Sequence, residues 1–372
     1  NAPSRPQDNG FQETFYHRGG VVGQVGDWFG NNMYDDTYFR DGKPEKTDGY
    51  ATDVWFDEAI RFVERQRREP FFLYLATNAA HWPYLIDEEY WKPYVEQGLP
   101  RTMARFYSMI ENIDENMGRL LAKLDEWDLY KDTILIYMSD NGMTGGGSGR
   151  PGQPVAKGYP FFNAGMKGMK GSADEGGVRV PFLVRWDGHW KAGRDFDTVS
   201  AQIDILPSFA AIAGIKQLPK NQAEGRSFLP LLTGEKKTLS DSRYLFTHKG
   251  RWKTGTEPND FQWKNYAVRN QRYRFVGGGT AISVSERQRK HGVSPKDALF
   301  DMLKDPGQRT NIIDQHPEVA EKMRGAYNKF WKEARPLMVN ESAPMSKTRP
   351  FHVWYAEQMK NSGIPQWKAP KL

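Results

Sequence analysis

The chain has 372 residues, with 52 Lys and Arg against 46 Asp and Glu, a net charge of +6 and no Cys. That length holds one large domain or two smaller ones, and the missing Cys excludes disulfides, zinc–thiolate sites and cysteine nucleophiles within this stretch. Mean hydropathy is −0.75 and no apolar run approaches the ~18 residues of a membrane span, so no spanning segment is expected. The charges are interspersed, which reads as a solvated mixed surface or a mild preference for anionic substrates. There is no zinc-finger, helix-turn-helix or RNA-binding signature, which argues against nucleic acid.

Residues 1–50 are rich in Gly, Asp and aromatics with little periodicity and read as loop. From Thr52 to Arg67 the spacing of Val54, Phe56, Ile60, Phe62 and Val63 predicts a helix. Phe71-Phe72-Leu73-Tyr74-Leu75 reads as a buried strand running into Asn78-Ala79-Ala80-His81. Phe106, Met109, Ile110, Ile113, Met117, Leu120, Leu121 and Leu124 keep the spacing of an amphipathic helix over Arg105–Trp127. A buried strand follows at Ile134–Met138. This alternation of helices and strands predicts a mostly parallel central sheet flanked by helices.

Residues 142–172 form a long Gly/Pro-rich loop, the kind that in a compact domain is functional or disordered. Val180–Trp186 is a further strand, and Ile203–Ile215 a helix with Pro207 in its first turn. After about residue 240 the texture changes. Arg243–Thr247, Tyr266–Arg269, Tyr273–Val276 and Ala298–Asp301 read as short strands, with Asn270-Gln271 as a hairpin turn, and Pro317–Trp331 as a closing helix. The expected division is an α/β domain over 1–240, an α+β subdomain with a small antiparallel sheet over 241–334, and an extended wrapping tail over 335–372.

Four places carry residues suited to chemistry. Asp140-Asn141-Gly142 sits at the carboxyl end of an apolar strand, where open α/β sheets bind ligands. The two side chains offer hard oxygens suited to Ca²⁺, or form an Asx-turn or helix cap. His81 follows its strand as Asp140 does, so both suit one crevice, with packing or hydrogen bonding as the plainer role. Lys170 lies between glycines in Lys167-Gly168-Met169-Lys170-Gly171-Ser172 and suits an anionic group as a point charge, or is a solvated loop lysine. Glu175-Gly176-Gly177-Val178-Arg179 reads as a tight turn whose glycines need permissive φ. Its Glu or Arg braces the Lys170 loop through an ion pair.

Taken together these segments resemble the type I sulfatases, arylsulfatase-like members of the alkaline phosphatase superfamily. The resemblance rests on the Asp140-Asn141-Gly142 turn, Asn78-x-x-His81-x-Pro83, Lys170-Gly171-Ser172 with Glu175-Gly176-Gly177-Val178-Arg179, and Ile203-Asp204-Ile205-Leu206-Pro207. It extends to Leu299-Phe300-Asp301 with Asp305-Pro306. It implies an alkaline-phosphatase-like fold and hydrolysis of sulfate esters at a Ca²⁺ site by a formylglycine nucleophile made from Cys or Ser. It also implies Asp140 and Asn141 as metal ligands, Lys170 as a sulfate anchor, and His81 at the leaving-group oxygen. The partner implied is a sulfated small molecule or sulfated carbohydrate, and the compartment periplasmic or extracellular.

The nucleophile motif C/S-x-P-S/A-R with its following L-x-T-G is not found. Asn1-Ala2-Pro3-Ser4-Arg5 imitates it with Asn in the nucleophile's place, and Pro6–Phe11 resembles a stretch downstream of it. The nucleophile and further carboxylate ligands are therefore expected in a segment before Asn1, and the 372-residue chain alone is expected to be inactive. The alternatives are a phosphodiesterase or phosphonate hydrolase of the same superfamily, and a binding scaffold that has lost catalysis.

Overall fold

A computed structural model describes residues 5–23, 28, 31–144, 163–218, 224–239, 242–249, 252, 255–278, 297–338, 348, 350–361 and 363. Most of the expected Gly/Pro-rich loop, residues 145–162, lies outside them. Backbone contacts divide the chain into two units, one from residues 1–129 and 343–372, the other from 130–144 and 162–342.

In the first unit, β1 (Phe15–Tyr16), β2 (Thr37–Arg40) and β3 (Lys43–Lys46) form an antiparallel sheet where loop was expected. Its hairpin turns at Asp41-Gly42, both in the left-handed region (φ 50° and 85°), with Arg40 opposite Lys43. Asp-Gly is the pair a two-residue hairpin of this kind requires. Helix α1 (Ala51–Gln66) buries Val54, Trp55, Phe56, Ala59 and Val63, close to the expected span. Helix α2 (Glu88–Glu96) precedes α3 (Arg101–Glu126), and α3 buries Phe106, Met109, Leu120 and Leu124.

The buried stripe of α3 departs from the apolar reading. It runs through Asn112 and Asn116, whose side-chain amides donate to Asp53 Oδ1 of α1 at 2.9 and 2.6 Å, while Ile110 is exposed. The buried Asn112 and Asn116 amides need an acceptor, and the half-buried Asp53 carboxylate supplies it. Phe71–Leu75 has no ladder partner among the described residues, and alternate side chains point outward, with Phe72 59% and Tyr74 72% exposed. The segment has strand-like alternation without a neighbour among the described residues that would bury it.

In the second unit, β4 (Leu135–Met138) pairs antiparallel with β5 (Phe182–Arg185). The short helix α4 (Glu175–Val178) lies between them in sequence. The central sheet is thus represented among the described residues by one antiparallel pair, and β4 is half-buried where a buried strand was expected. Helix α5 (Ile205–Ile212) carries Pro207 in its first turn, and α6 (Leu229–Leu232) follows.

Then β6 (Leu245–His248), β7 (Tyr266–Arg269), β8 (Tyr273–Gly277) and β9 (Ala298–Asp301) form the expected small antiparallel sheet, in that order. The β7–β8 turn closes without glycine because Asn270 Oδ1 accepts from the amides of Arg272 and Tyr273 at 3.0 and 2.6 Å. Helix α7 (Pro317–Met338) covers one face, packing Ala320, Met323, Tyr327 and Trp331 on Tyr266, Val268, Phe275 and Leu299. The alternate residues Ala267, Val276, Ala298 and Phe300 point to the other face and pack with Ala173. The tail read as extended holds the end of α7 and a further helix, α8 (Pro350–Asn361). In the first unit, Trp354 of α8 and Phe39 of β2 both lie against the Arg18 guanidinium.

Candidate active site

Asp140 and Asn141 follow β4 by one residue, Ser139. Asp140 is exposed and Asn141 half-buried, yet Asn141 Oδ1 is itself buried and has no hydrogen-bond partner among the described residues. An acceptor left in that state costs on the order of 1–3 kcal/mol unless something else satisfies it. A hard cation does so, and the neighbouring Asp140 carboxylate supplies a second oxygen of the same kind. The pair therefore fits part of a Ca²⁺ site. Among the described residues no group of three or more His, Asp or Glu could complete it.

Lys170 is brought beside this turn through the backbone. Its N–H donates to Met143 O at 3.0 Å, and the Gly142 N–H donates to Gly177 O at 3.0 Å. The glycines explain the fit. A Cβ on Gly142 would overlap the Gly176 carbonyl, one on Gly176 the carbonyls of Lys167 and Gly168, and one on Gly177 the Ser172 carbonyl. Gly176 and Gly177 are therefore required for close approach and not, as the sequence suggested, for unusual φ. The left-handed positions are Gly168 and Gly171, at φ 82° and 86°.

The bracing ion pair exists and is larger than expected. Buried Glu175 meets Arg274 of β8 at 2.8 Å, with Arg269 of β7 and Arg179 each at 3.8 Å. Arg274 also donates to the Ala173 carbonyl. Burial pushes the Arg269 guanidinium down to about 10 against the pull of Glu175, and Arg274 and Arg179 add to the depression. Burial likewise holds Arg274 below its usual range, opposed by Glu175 and Asp174. Sequence reasoning missed Arg269 and Arg274 as partners. The available signal was a charged residue inside each apolar run, Tyr266-Ala267-Val268-Arg269 and Tyr273-Arg274-Phe275-Val276.

His81 belongs to the first unit. Its loop is held by the His81 N–H donating to Asn78 O at 3.0 Å, and Asn78 Oδ1 accepts from the Val22 N–H at 3.1 Å. His81 Nδ1 lies 2.8 Å from Trp82 O. A carbonyl only accepts, so Nδ1 carries a proton and Nε2 is the nitrogen this bond leaves to other chemistry.

Comparison with known proteins gives the context. The sulfatase family model matches residues 6–215, and a model of the N-sulphoglucosamine sulphohydrolase C-terminal region matches residues 170–333. Steryl-sulfatase of Mus musculus is 29% identical over 294 residues, covering 75% of this chain and 44% of that protein. The chain spans about half the length of the curated relatives it matches. Among solved structures, Ps i-CgsB in complex with k-i-k-neocarrahexaose aligns with a TM-score of 0.68 at 23% identity, over 89% of this chain and 68% of that one. BT4656, in complex with its substrate D-glucosamine-2-N,6-O-disulfate, aligns with a TM-score of 0.64 at 20% identity, over 90% and 78%. The fold is the alkaline-phosphatase-like α/β fold with a small carboxyl-terminal antiparallel sheet and helix. The first family match alone covers more than half of the sequence, and the chain belongs to the sulfatase family.

Proposed function

We propose that the intact protein hydrolyses sulfate esters on sulfated carbohydrates, with Asp140 and Asn141 as metal ligands, Lys170 on the sulfate and His81 at the leaving-group oxygen. The observation that carries this reading is the buried, unsatisfied Asn141 Oδ1 beside Asp140, on a turn hydrogen-bonded to the Lys170 loop. Bound at these oxygens, Ca²⁺ would supply positive charge to the sulfuryl group. Lys170 would add a second positive charge toward the same oxygens, as lysine clamps do in phosphoryl transfer. His81, its Nδ1–H held by the Trp82 carbonyl, would present Nε2 to the leaving oxygen. With both ring nitrogens protonated, it would give up the Nε2 proton as the bond to sulfur breaks and remain the neutral Nδ1–H ring, a role worth roughly 10²–10⁴-fold. The nucleophile, a formylglycine by family resemblance, is assigned to no residue of this chain.

The carbohydrate substrate class is supported by the ligands named with the two structural neighbours above. Polymers of such sugars do not cross a membrane unaided, which favours action in the periplasm or outside the cell; cell fractionation checks that part. The decisive experiment is release of inorganic sulfate from a panel of sulfated sugars by the intact protein, with and without Ca²⁺, beside Lys170→Ala and Asn141→Ala. Calcium-dependent release that both variants reduce supports the reading. Hydrolysis of phosphodiesters in place of sulfate esters, or no turnover with retained sugar binding, replaces it with the phosphodiesterase or the inactive-scaffold reading.

A further inference from the structure

The Lys170 loop is held to the β6–β9 sheet by side-chain amides. Asn265, just before β7, accepts from the Ala173 N–H through Oδ1 at 3.2 Å and donates to Gly171 O through Nδ2 at 3.0 Å. Gln308, just after the Asp305-Pro306-Gly307 turn that follows β9, accepts from the Glu175 N–H through Oε1 at 2.6 Å. It donates to Asp174 Oδ1 through Nε2 at 3.0 Å. Both residues are buried, and both hold a left-handed backbone, at φ 53° and 54°. Non-glycine residues adopt that conformation rarely, and persist in it where the surroundings over-determine it.

We infer that Asn265 and Gln308 are positioning residues that set the Lys170 loop against the Asp140-Asn141 turn. A carboxamide offers one donor arm and one acceptor arm side by side, so each of these side chains grips the loop as a neighbouring strand would. Their four hydrogen bonds fall on residues 171–175, beginning immediately after Lys170. The grip passes onward through two backbone bonds, Lys170 N–H to Met143 O and Gly142 N–H to Gly177 O. Release of the loop from the sheet therefore shifts Lys170 relative to the two candidate metal ligands. Misplacement of a binding group by about 1 Å costs on the order of 10²-fold in rate. Neither amide is among the groups assigned to touch the substrate. The inference rests on the sulfatase reading for its kinetic consequence, but not for the coupling between the loops.

The test uses the intact protein with Asn265→Gly and Gln308→Gly, which keep the left-handed backbone accessible and remove the amides. In each folded variant, hydrogen exchange of the Gly142 and Lys170 amides should accelerate, although neither contacts the substituted side chain. KM for 4-nitrophenyl sulfate should rise about tenfold, with kcat affected less. Gln308→Glu adds a pH signature. It places a second carboxylate where the amide lay 3.0 Å from Asp174, and two carboxylates so close cannot both ionise freely. KM of this variant should climb with pH where that of the unsubstituted protein does not. Should Asn265→Gly fail to fold, Asn265→Asp serves, because it keeps the acceptor toward Ala173 and loses the donor toward Gly171. Unchanged exchange at Gly142 and Lys170 overturns the inference, as does wild-type KM in an active enzyme carrying either glycine variant. Accelerated exchange in a protein that hydrolyses no sulfate ester upholds the coupling and refutes the functional reading instead.

Discussion

The two sheets of the second unit are built to different standards. The β6–β9 sheet is covered on both faces, by α7 on one side and by Ala173 and its neighbours on the other. The β4–β5 pair turns the cross-strand couple Tyr137 and Leu183 outward, 38% and 64% exposed, and leads into a turn with an unsatisfied acceptor at Asn141. Rigidity thus lies in the sheet that bears none of the proposed chemical groups. It is delivered to the Lys170 loop through the Glu175 ion cluster and the amides of Asn265 and Gln308. The candidate ligands sit on the thinner element, where an unsatisfied oxygen remains available.

The largest stability effect should come from the covered sheet. Phe275 is fully buried and meets the Tyr266 ring edge-on at 5.7 Å between centroids. Phe275→Ala should cost about 3–5 kcal/mol, the usual range for removing a buried aromatic ring, read from urea unfolding. A loss below about 1 kcal/mol would mean that this sheet is not the rigid member of the pair.

Next in size is Glu175→Gln, which leaves Arg274 and Arg269 buried without their shared carboxylate. Breaking one side of a buried ion pair costs about 3–5 kcal/mol where no other group compensates. The retained amide oxygen of Gln should keep the loss near the lower end, at about 3 kcal/mol. Since Glu175 links the two regions, the variant should also loosen the Lys170 loop, detectable as faster exchange of the Lys170 amide. A variant destabilised by that amount with a Lys170 amide as slow as before would separate the ion cluster from the site.

The contrast between these regions also marks what the sequence could show. Val54, Phe56 and Val63, or Tyr266 to Arg269 and Tyr273 to Val276, announce their elements because burial follows local periodicity. The Asp41-Gly42 hairpin carried its own signal, although the first fifty residues lacked the alternation that would have named its strands. Phe71–Leu75 has the composition of a buried strand, but burial depends on a neighbour that no local pattern specifies. At the site, Asp140, Asn141, Lys170 and the Glu175 turn were legible as chemistry-bearing types at strand ends and between glycines. Their supports were not, since Asn265 and Gln308 act across sequence separations of 92 and 134 residues. Nothing in a lone Asn or Gln indicates which distant amide it will grip.

A smaller, pH-dependent effect should come from the covered sheet through His248 on β6. Its Nε2 lies 2.9 Å from Phe261 O and its ring meets Trp331 edge-on at 4.9 Å. Burial holds this histidine below its ordinary value of 6.5, against the bond to the Phe261 carbonyl. The unfolded chain therefore takes up the proton first as pH falls, and below about 6.5 it binds more protons than the folded form. Stability should be full above that value and decline as pH drops through it, until the folded histidine is also protonated. His248→Gln keeps a donor for the Phe261 carbonyl and removes the titration, so its urea midpoint should vary less with pH across the same window. An identical pH dependence in both proteins would place the sensitivity elsewhere.

The smallest effect is expected on the open pair. Leu183 is exposed on β5 opposite Tyr137, and Leu183→Thr keeps strand propensity while removing part of an apolar side chain. Exposed positions of this kind change stability by no more than about 0.5 kcal/mol, so the unfolding midpoint should barely move. The size of this effect sharpens the comparison more than the others. If the outward face of β4–β5 is solvated, Leu183→Thr and Tyr137→Thr should each be nearly silent, and their effects should add. A loss of 2 kcal/mol or more, of the order seen for burying a leucine side chain, would instead require that face to be covered in solution. The same result would move β4–β5 from the thin element of the site to a second packed layer beneath Asp140 and Asn141.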